Sequence, residues 1–218
     1  LPTNPMAGRE EASHSYRFRN AAGEYRWIED HVTVVRRDEA GAALELAGAW
    51  NDVTARREAE LSEQRLSRLY LTRSRCNAAI VRCSSEAELF PLICHELVEA
   101  GGVDMVWVGL VDEAAHTIKP VARYGYGLEY LDGIRLSVDA SDPRSNGPAG
   151  TAALSGEPCW LEDLATNPAM APWREEAMRF GWTALASFPL RRSGRIVGVF
   201  SIYLRSVTGF DRAMRELL

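Results

Sequence analysis

Apolar and polar residues alternate along three short segments near the start of the chain. These segments are residues 15–19, 24–36 and 42–50, and turns that contain Gly separate them at 20–23 and 38–41. Alternation between such turns is typical of strands with one buried face. The first fifty residues therefore predict a three-stranded antiparallel meander.

The period of the apolar residues changes to that of a helix after this meander. Asp52 or Thr54 can cap the helix, because a side-chain oxygen here accepts a hydrogen bond from a free N–H of the first turn. From Ala55 onward the sequence is charged and helix-prone, and apolar residues recur about every seven positions. This spacing predicts one long helix with a narrow apolar seam, which Arg73 interrupts. The seam residues are Leu66, Leu69, Cys76, Ile80 and Cys83.

The rest of the chain combines short helices with strongly apolar strands. A second helix begins near Ser84 and ends at the Gly101-Gly102 pair. The nearly unbroken apolar run at 105–111 predicts a strand that is covered on both faces. The other predicted strands are 117–124, a weaker 133–138, 158–161, 183–191 and 195–204. The other predicted helical segments are 147–156, 169–180 and 210–218.

Composition narrows the class of protein. The chain is 46% hydrophobic and 25% charged, and its 30 acidic residues outnumber 25 Lys and Arg, which argues against a nucleic-acid surface. No apolar run approaches the ~18 residues of a membrane helix, so we expect no membrane span in this segment. The four cysteines form no CxxC pair, which predicts reduced thiols in the cytoplasm. The start lacks a signal peptide and indicates an interior piece of a longer protein.

The first part of the chain resembles the C-terminal half of a PAS domain, the PAC region. The matching residues are 16–19, 23–28 and 48–60, which end in the Asp-x-Thr junction to a signalling helix. We assign residues 1–54 to this PAS-like part and 55–83 to the signalling helix and linker. The PAS half that usually carries the cofactor pocket is absent, so the resemblance implies no PAS ligand site.

Residues 64–218 resemble a complete GAF domain of a bacterial multidomain signalling protein, and the first helix of that domain overlaps the linker. The matching stretches are 106–111, 147–152, 156–158, Asp163, 167–168, 171–177, 189–190, Gly194, Gly198 and Phe210. The resemblance implies an α+β fold with a profilin-like antiparallel sheet. Helices from both chain ends cover one face, and a small-molecule pocket lies on the other.

The pocket that the resemblance implies gives a set of candidate ligand-binding residues. GAF pockets often hold a flat ligand between aromatic rings, and this chain has six Trp. The signature of cyclic-nucleotide GAF domains is missing, so we predict neither cyclic AMP nor cyclic GMP, and the ligand stays unidentified. The candidates are Trp107, Tyr124, Gly150, Trp160, Trp173, Ser187 and Phe200.

We predict no metal, haem or bilin. The four histidines, at 14, 31, 95 and 116, are dispersed, whereas a metal or haem site needs clustered ligands. None of the cysteines lies in a recognisable bilin-attachment motif.

The resemblance implies a sensory module without catalytic residues of its own. It would bind a small ligand and form a homodimer through the helices at 55–83 and 210–218. A downstream output domain of the diguanylate cyclase (GGDEF), cyclic-di-GMP phosphodiesterase or histidine kinase type would read the change. Two alternatives remain: a ligand-free dimerisation module, and a free methionine sulfoxide reductase that uses Cys159.

Overall fold

The computed structural model describes residues 11–206, 209–210 and 214–215. The chain divides into two compact units, Leu1–Arg65 and Leu66–Leu218. Among the described residues, no helix has both the length and the apolar character that a membrane crossing requires.

The first unit contains the predicted meander. Strands β1 (Glu11–Arg19), β2 (Tyr25–Arg37) and β3 (Ala43–Asp52) pair in that order, and both pairs are antiparallel. Gly23 and Gly41 lie in the two turns with φ of 84° and 83°, a backbone conformation that glycine adopts without steric cost. Alternation between Gly-containing turns therefore predicted the strands and their pairing correctly. The predicted buried face is wrong, because Tyr25, Leu46 and Trp50 are 56%, 52% and 64% exposed.

Helix α1 (Thr54–Arg82) follows β3 directly, as the change of period predicted. Asp52 provides the first-turn hydrogen bond, because its Oδ1 accepts the N–H of Thr54 at 2.9 Å. The Thr54 hydroxyl has a different role: it accepts the backbone N–H of Trp27 in β2 at 2.7 Å. Thr54 therefore ties the helix start to the sheet and does not cap the helix.

The apolar seam predicted along α1 is not one continuous face. Leu69 is 3% exposed, and Cys76 and Cys83 are half-buried, whereas Leu66 and Ile80 are 48% and 58% exposed. The prediction that these five share a seam is wrong, because Leu66 and Ile80 lie to one side of the buried stripe.

The second unit is built on one five-stranded antiparallel sheet with the strand order β5-β4-β8-β7-β6. Its strands are β4 (Met105–Asp112), β5 (Thr117–Gly125), β6 (Cys159–Glu162), β7 (Ala184–Arg192) and β8 (Arg195–Leu204). The central strand β8 and its neighbour β4 are covered on both faces, which explains their nearly continuous apolar sequence.

Helices cover both faces of this sheet. Helix α2 (Glu86–Glu99) packs on β4 and β5, on the face that also carries Phe210 and Met214. The opposite face is covered by short elements: α3 (Glu129–Gly133), α4 (Pro148–Ser155), α5 (Arg174–Arg179) and two 3₁₀ turns, Pro143–Ser145 and Pro168–Met170. The arrangement is the predicted α+β fold.

Two segments differ from the sequence prediction, and a third lies partly outside the described residues. Residues 133–138 form no strand but a single bridge from Ser137 to Thr117, because Gly133 still belongs to helix α3. The helical segment predicted at 169–180 is a 3₁₀ turn and the separate α5. In the predicted helix at 210–218, residues 214–215 are helical, and 211–213 and 216–218 lie outside the described residues.

Candidate functional site

Alternation of side chains along the strands creates two separate cores in the second unit. We call the core under α3, α4 and α5 the loop-side layer and the core under α1 and α2 the helix-side layer. In β4, Met105 and Trp107 enter the loop-side layer, whereas Val106 and Val108 enter the helix-side layer. A residue's parity in its strand therefore decides which layer it joins.

Five buried aromatic residues define the loop-side layer. Trp107 and Trp182 are 0% exposed, and the others are at most 7% exposed. The Tyr203 ring lies 5.6 Å from the Tyr130 ring and 5.3 Å from the Trp182 ring, both at steep angles, which is the edge-to-face geometry that aromatic pairs prefer. The five are Trp107, Tyr130, Trp173, Trp182 and Tyr203.

Two hydrogen-bond donors in this aromatic layer have no acceptor. The indole Nε1 atoms of Trp107 and Trp182 are buried and make no hydrogen bond of ordinary geometry with the described residues, although the Trp107 side chain lies close enough to the Tyr203 hydroxyl to act on its pKa. Burial raises the pKa of Tyr203 to about 12, although the neighbouring Trp107 and Tyr130 side chains act to lower it. A buried N–H without an acceptor lowers the stability of the folded state by about 1–3 kcal/mol. These donors therefore make the layer less stable than its packing alone would.

The loop-side layer has almost no free space. The cavity bounded by Tyr130, Trp173 and Tyr203 has a volume of about 10 Å³. A space of that size holds about one water molecule at most. Gly147 shows how tight the packing is, because a Cβ there would lie 2.4 Å from the Trp173 ring. The pocket predicted on this face is closed by the protein's own side chains.

The seven predicted ligand-binding residues do not surround one cavity. Four lie on the loop side or in its covering helix, and three lie in the helix-side layer. The first group is Trp107, Gly150, Trp173 and Ser187, and the second is Tyr124, Trp160 and Phe200. Grouping all seven was wrong because the sequence prediction did not follow parity along the strands.

The three helix-side residues make structural contacts. Trp160 packs edge-to-face on Phe188 at 5.0 Å, and the Tyr124 hydroxyl donates to Glu99 at 3.0 Å. Phe200 lies tilted against Phe188 at 6.0 Å. Because these three side chains lie on the helix side of the sheet, they cannot contact a ligand in the loop-side layer.

Sequence reasoning missed three residues of the loop-side layer, Tyr130, Trp182 and Tyr203. A signal for one of them exists in the sequence. In the sheet, Ser201 lies opposite Trp107, and Tyr203 is two residues further along the same strand, so it shares the face of Trp107. Pairing the two strands by parity would have found Tyr203.

A row of small polar side chains lies beneath α4. The Ser187 and Ser201 hydroxyls share a hydrogen bond of 2.8 Å, and both residues are 0% exposed. Cys159 is the sheet partner of Ser187, and burial raises the pKa of its thiol. Gly150 allows α4 to lie close to the 3₁₀ turn Pro143–Ser145 that precedes it, since a Cβ there would sit 2.2 Å from the Ser145 carbonyl oxygen.

Two larger cavities lie elsewhere in the second unit. The helix-side layer contains a groove of about 420 Å³ between α1 and α2, with Val108 and Phe200 in its wall. A cavity of about 340 Å³ lies beside Glu162 and Asp163, and Trp182 borders it. Among the described residues, no three His, Cys, Asp or Glu side chains are grouped so that they could hold a metal ion.

Sequence comparisons place both parts of the chain among known domains. The model of the GAF domain matches residues 83–218, and the model of the PAS fold matches residues 5–49. The methyl sulfide methyltransferase-associated sensor of Methanosarcina acetivorans is 29% identical over 212 residues. That alignment covers 93% of this chain but only 19% of the relative, so the chain spans a small part of that protein's length.

Solved structures show the same fold at low sequence identity. The GAF domain of a phosphoenolpyruvate-protein phosphotransferase from Coxiella burnetii has a TM-score of 0.56 and 16% identity, and the match covers 70% of this chain and 86% of that one. Free methionine-R-sulfoxide reductase from Neisseria meningitidis, in complex with its substrate, has a TM-score of 0.55 and 18% identity, with 68% and 82% covered. At such identities the likeness establishes the fold alone.

Proposed function

Because this chain belongs to the GAF domain family, we propose that it is a sensory module that binds a small ligand in its loop-side layer. The bound ligand would alter the helices, and an output domain would read that change. The sensor from Methanosarcina acetivorans supports this role, since the similarity extends over both the PAS-like and the GAF parts.

The observation that carries the proposal is the unsatisfied indole N–H of Trp107. Trp107 is 0% exposed on the central part of the sheet, and its Nε1 makes no hydrogen bond of ordinary geometry with the described residues, the Tyr203 hydroxyl being a polar neighbour in the layer. A flat ligand with a hydrogen-bond acceptor would satisfy this donor while its faces pack between the rings. The cavity of about 10 Å³ is the closed, ligand-free arrangement, and binding requires α3, α4 and α5 to move outward.

The sheet offers a direct route from one layer to the other. Trp107 and Val108 are neighbours in β4, but they contact opposite layers. A shift of β4 on ligand binding therefore changes the surface on which α2 packs. An ion pair of 3.2 Å between Arg75 in α1 and Glu96 in α2 connects the two helices that would carry the signal.

We propose that α1 also forms the contact between two copies in a homodimer. Leu66, Tyr70 and Val81 are 48%, 63% and 85% exposed and lie on neighbouring positions of one helical face. Leu69 is buried, so it is not available for that contact.

We propose that an output domain of the cyclase, phosphodiesterase or kinase type responds to the change in the helices. A cytoplasmic location agrees with the four free cysteines.

Two alternatives have some support. A ligand-free structural module is favoured by the small cavity of about 10 Å³. A reductase is favoured by the fold shared with the Neisseria enzyme. The raised pKa of Cys159 argues against the reductase, because a nucleophilic thiol needs a lowered pKa. Of the other three cysteines in this chain, Cys76 lies in α1, Cys94 in α2 and Cys83 directly after α1.

Native mass spectrometry tests the sensory proposal. Tagged protein is incubated with a metabolite extract of its own source cells, desalted and sprayed without denaturation. We expect a bound compound at one per chain in the wild type and its loss in Trp107→Phe, which keeps an aromatic ring but removes the N–H. Phe188→Leu, on the helix side, is the matched control and keeps the compound.

The contrary result is equally defined. If no compound binds and amide hydrogen exchange in α3–α5 is as slow as in β4 and β8, the loop-side layer does not open. The structural module would then be the better assignment.

For the dimer, light scattering should show Tyr70→Lys as a monomer and Arg68→Gln unchanged. A monomeric wild type would contradict the proposed contact.

A further inference from the structure

The groove between α1 and α2 is a second candidate site, on the opposite face of the sheet from the aromatic layer. Its volume of about 420 Å³ lies within the usual range for small-molecule sites. We propose that it binds the chain of a free medium-length fatty acid, whose carboxylate pairs with Arg73. This site does not depend on the loop-side ligand.

The walls of the groove are apolar and incompletely covered. Val108 and Leu97 form its buried floor, at 2% and 6% exposure. The surrounding apolar side chains are only half-buried, so an alkyl chain would remove further apolar surface from water. These half-buried residues are Leu89, Phe90, Ile93, Leu190 and Phe200.

One end of the groove carries an unpaired positive charge. Arg73 lines it and is exposed, and it has no hydrogen bond or ion pair with any described residue. Neighbouring arginines are already paired: Arg75 with Glu96 at 3.2 Å and Arg192 with Glu86 at 3.4 Å. Within the described part of the chain, no acidic side chain lines the groove. The charge therefore favours an anionic head group, and guanidinium matches a carboxylate well.

The positions along α1 set the direction and the length of the ligand. Arg73 and Ile80 line the groove seven residues apart, which corresponds to roughly 10 Å along a helix. The carboxylate lies at Arg73, beside the Asn77 amide, and the alkyl chain runs towards Ile80. This length fits a medium-chain acid, and the closed floor favours a free acid over a lipid that is held in a membrane.

Cys76 provides a reporter inside the groove. It lines the groove and is half-buried, whereas Cys83, seven residues later and directly after the end of α1, is half-buried but does not line it. Alkylation by iodoacetamide, followed peptide by peptide by mass spectrometry, measures both thiols in one sample. Decanoate is the probe, octanoate tests chain length, and decanol and decyltrimethylammonium test the head group.

We expect decanoate to slow alkylation of Cys76 saturably and to leave Cys83 unchanged. Octanoate, with two methylenes fewer, should bind up to about tenfold more weakly. Arg73→Gln should weaken decanoate by roughly fivefold and leave decanol unchanged, because an exposed ion pair contributes little more. Arg68→Gln is the matched control, since Arg68 is an exposed arginine of α1 that does not line the groove. For each variant, the alkylation rate of Cys76 with ligand is divided by the rate without ligand. This ratio removes any effect of Arg73 on the reactivity of the Cys76 thiol itself.

Four results would overturn the assignment. Absence of Cys76 protection by decanoate excludes the site. Equal protection by decanol and decanoate, with no effect of Arg73→Gln, excludes the carboxylate. If protection of Cys76 rises with protein concentration but does not depend on decanoate, a second copy of the chain covers the groove. Binding only to phosphatidylglycerol vesicles would replace a free acid with a membrane surface. All four measurements are made independently of the loop-side ligand.

Discussion

On the loop side of the sheet, aromatic rings fill the space until about 10 Å³ remains, whereas on the helix side a groove of about 420 Å³ stays open. The same strands supply both faces, since Trp107 and Val108 are consecutive in β4. The loop side contains buried polar groups without partners, and the helix side contains half-covered apolar groups. Dense packing of rings makes one layer sensitive to any change of shape, and loose packing makes the other tolerant.

The largest expected difference between the layers is the cost of removing one aromatic side chain. Trp107→Ala should lower the free energy of unfolding by about 3–5 kcal/mol, because Trp107 is 0% exposed among packed rings. Phe200→Ala should cost less than half of this, because Phe200 borders the open groove. Urea denaturation of both variants measures the contrast. Equal losses would mean that the groove side is packed as tightly as the loop side.

Alkaline pH should destabilise the two layers over pH ranges that begin at different values. Burial raises the pKa of the Cys94 thiol on the helix side to about 12 and that of the Tyr203 phenol on the loop side to about 12. A pKa that is higher in the folded state stabilises the protein below the unfolded pKa, and this contribution is lost as pH rises towards the folded pKa. The loss begins near pH 9 for Cys94 and near pH 10 for Tyr203, and it reaches about 4 and about 3 kcal/mol, respectively, near pH 12.

Two variants separate these contributions. Cys94→Ala should flatten the stability curve at the lower pH, and Tyr203→Phe should flatten it only at the higher pH. Denaturation at stepped pH, compared with wild type, measures each window. The same curve for both variants would show that neither buried group controls the alkaline loss.

Tight packing at the loop side should also appear as intolerance of one extra carbon. Gly147→Ala should destabilise the protein by about 1–3 kcal/mol, because the new Cβ lies 2.4 Å from the Trp173 ring. Gly133→Ala is the matched control, since no atom lies within 4 Å of a Cβ at that position. Thermal unfolding of the two variants compares them. If Gly147→Ala is as stable as Gly133→Ala, the Trp173 ring has room to move.

The fold was largely predictable from sequence, but the membership of the two layers was not. The Gly-containing turns and the apolar run at 105–111 are local signals, and strands form at both places. Layer membership depends on parity through long-range pairing, and a bulge between Val108 and Gly109 shifts the pairing of β4 with β5. Tyr124, Trp160 and Phe200 were therefore assigned to the wrong face, although all three are aromatic residues in correctly predicted strands.

The closed state of the loop side was also beyond sequence reasoning. Trp107 and Trp173 suit a ligand cavity and a filled core equally well by residue type. The outcome depends on how α4 and α5 sit above the sheet, and close approaches at Gly147 and Gly150 decide this. The contact between Gly147 and Trp173 joins residues that are distant in sequence, and no local pattern encodes it.

The smallest expected effect concerns the polar pair beneath α4. It tests directly whether water reaches the loop-side layer. Ser187 and Ser201 share a 2.8 Å hydrogen bond at 0% exposure. Ser187→Ala or Ser201→Ala alone should cost about 1–2 kcal/mol, because the remaining hydroxyl stays buried without its partner. The double variant should cost little more than either single one, since no orphan hydroxyl remains, which gives a coupling near 1 kcal/mol. Strictly additive losses in this double-mutant cycle would mean that water reaches the pair, and the loop-side layer would then be more open than its 10 Å³ cavity indicates.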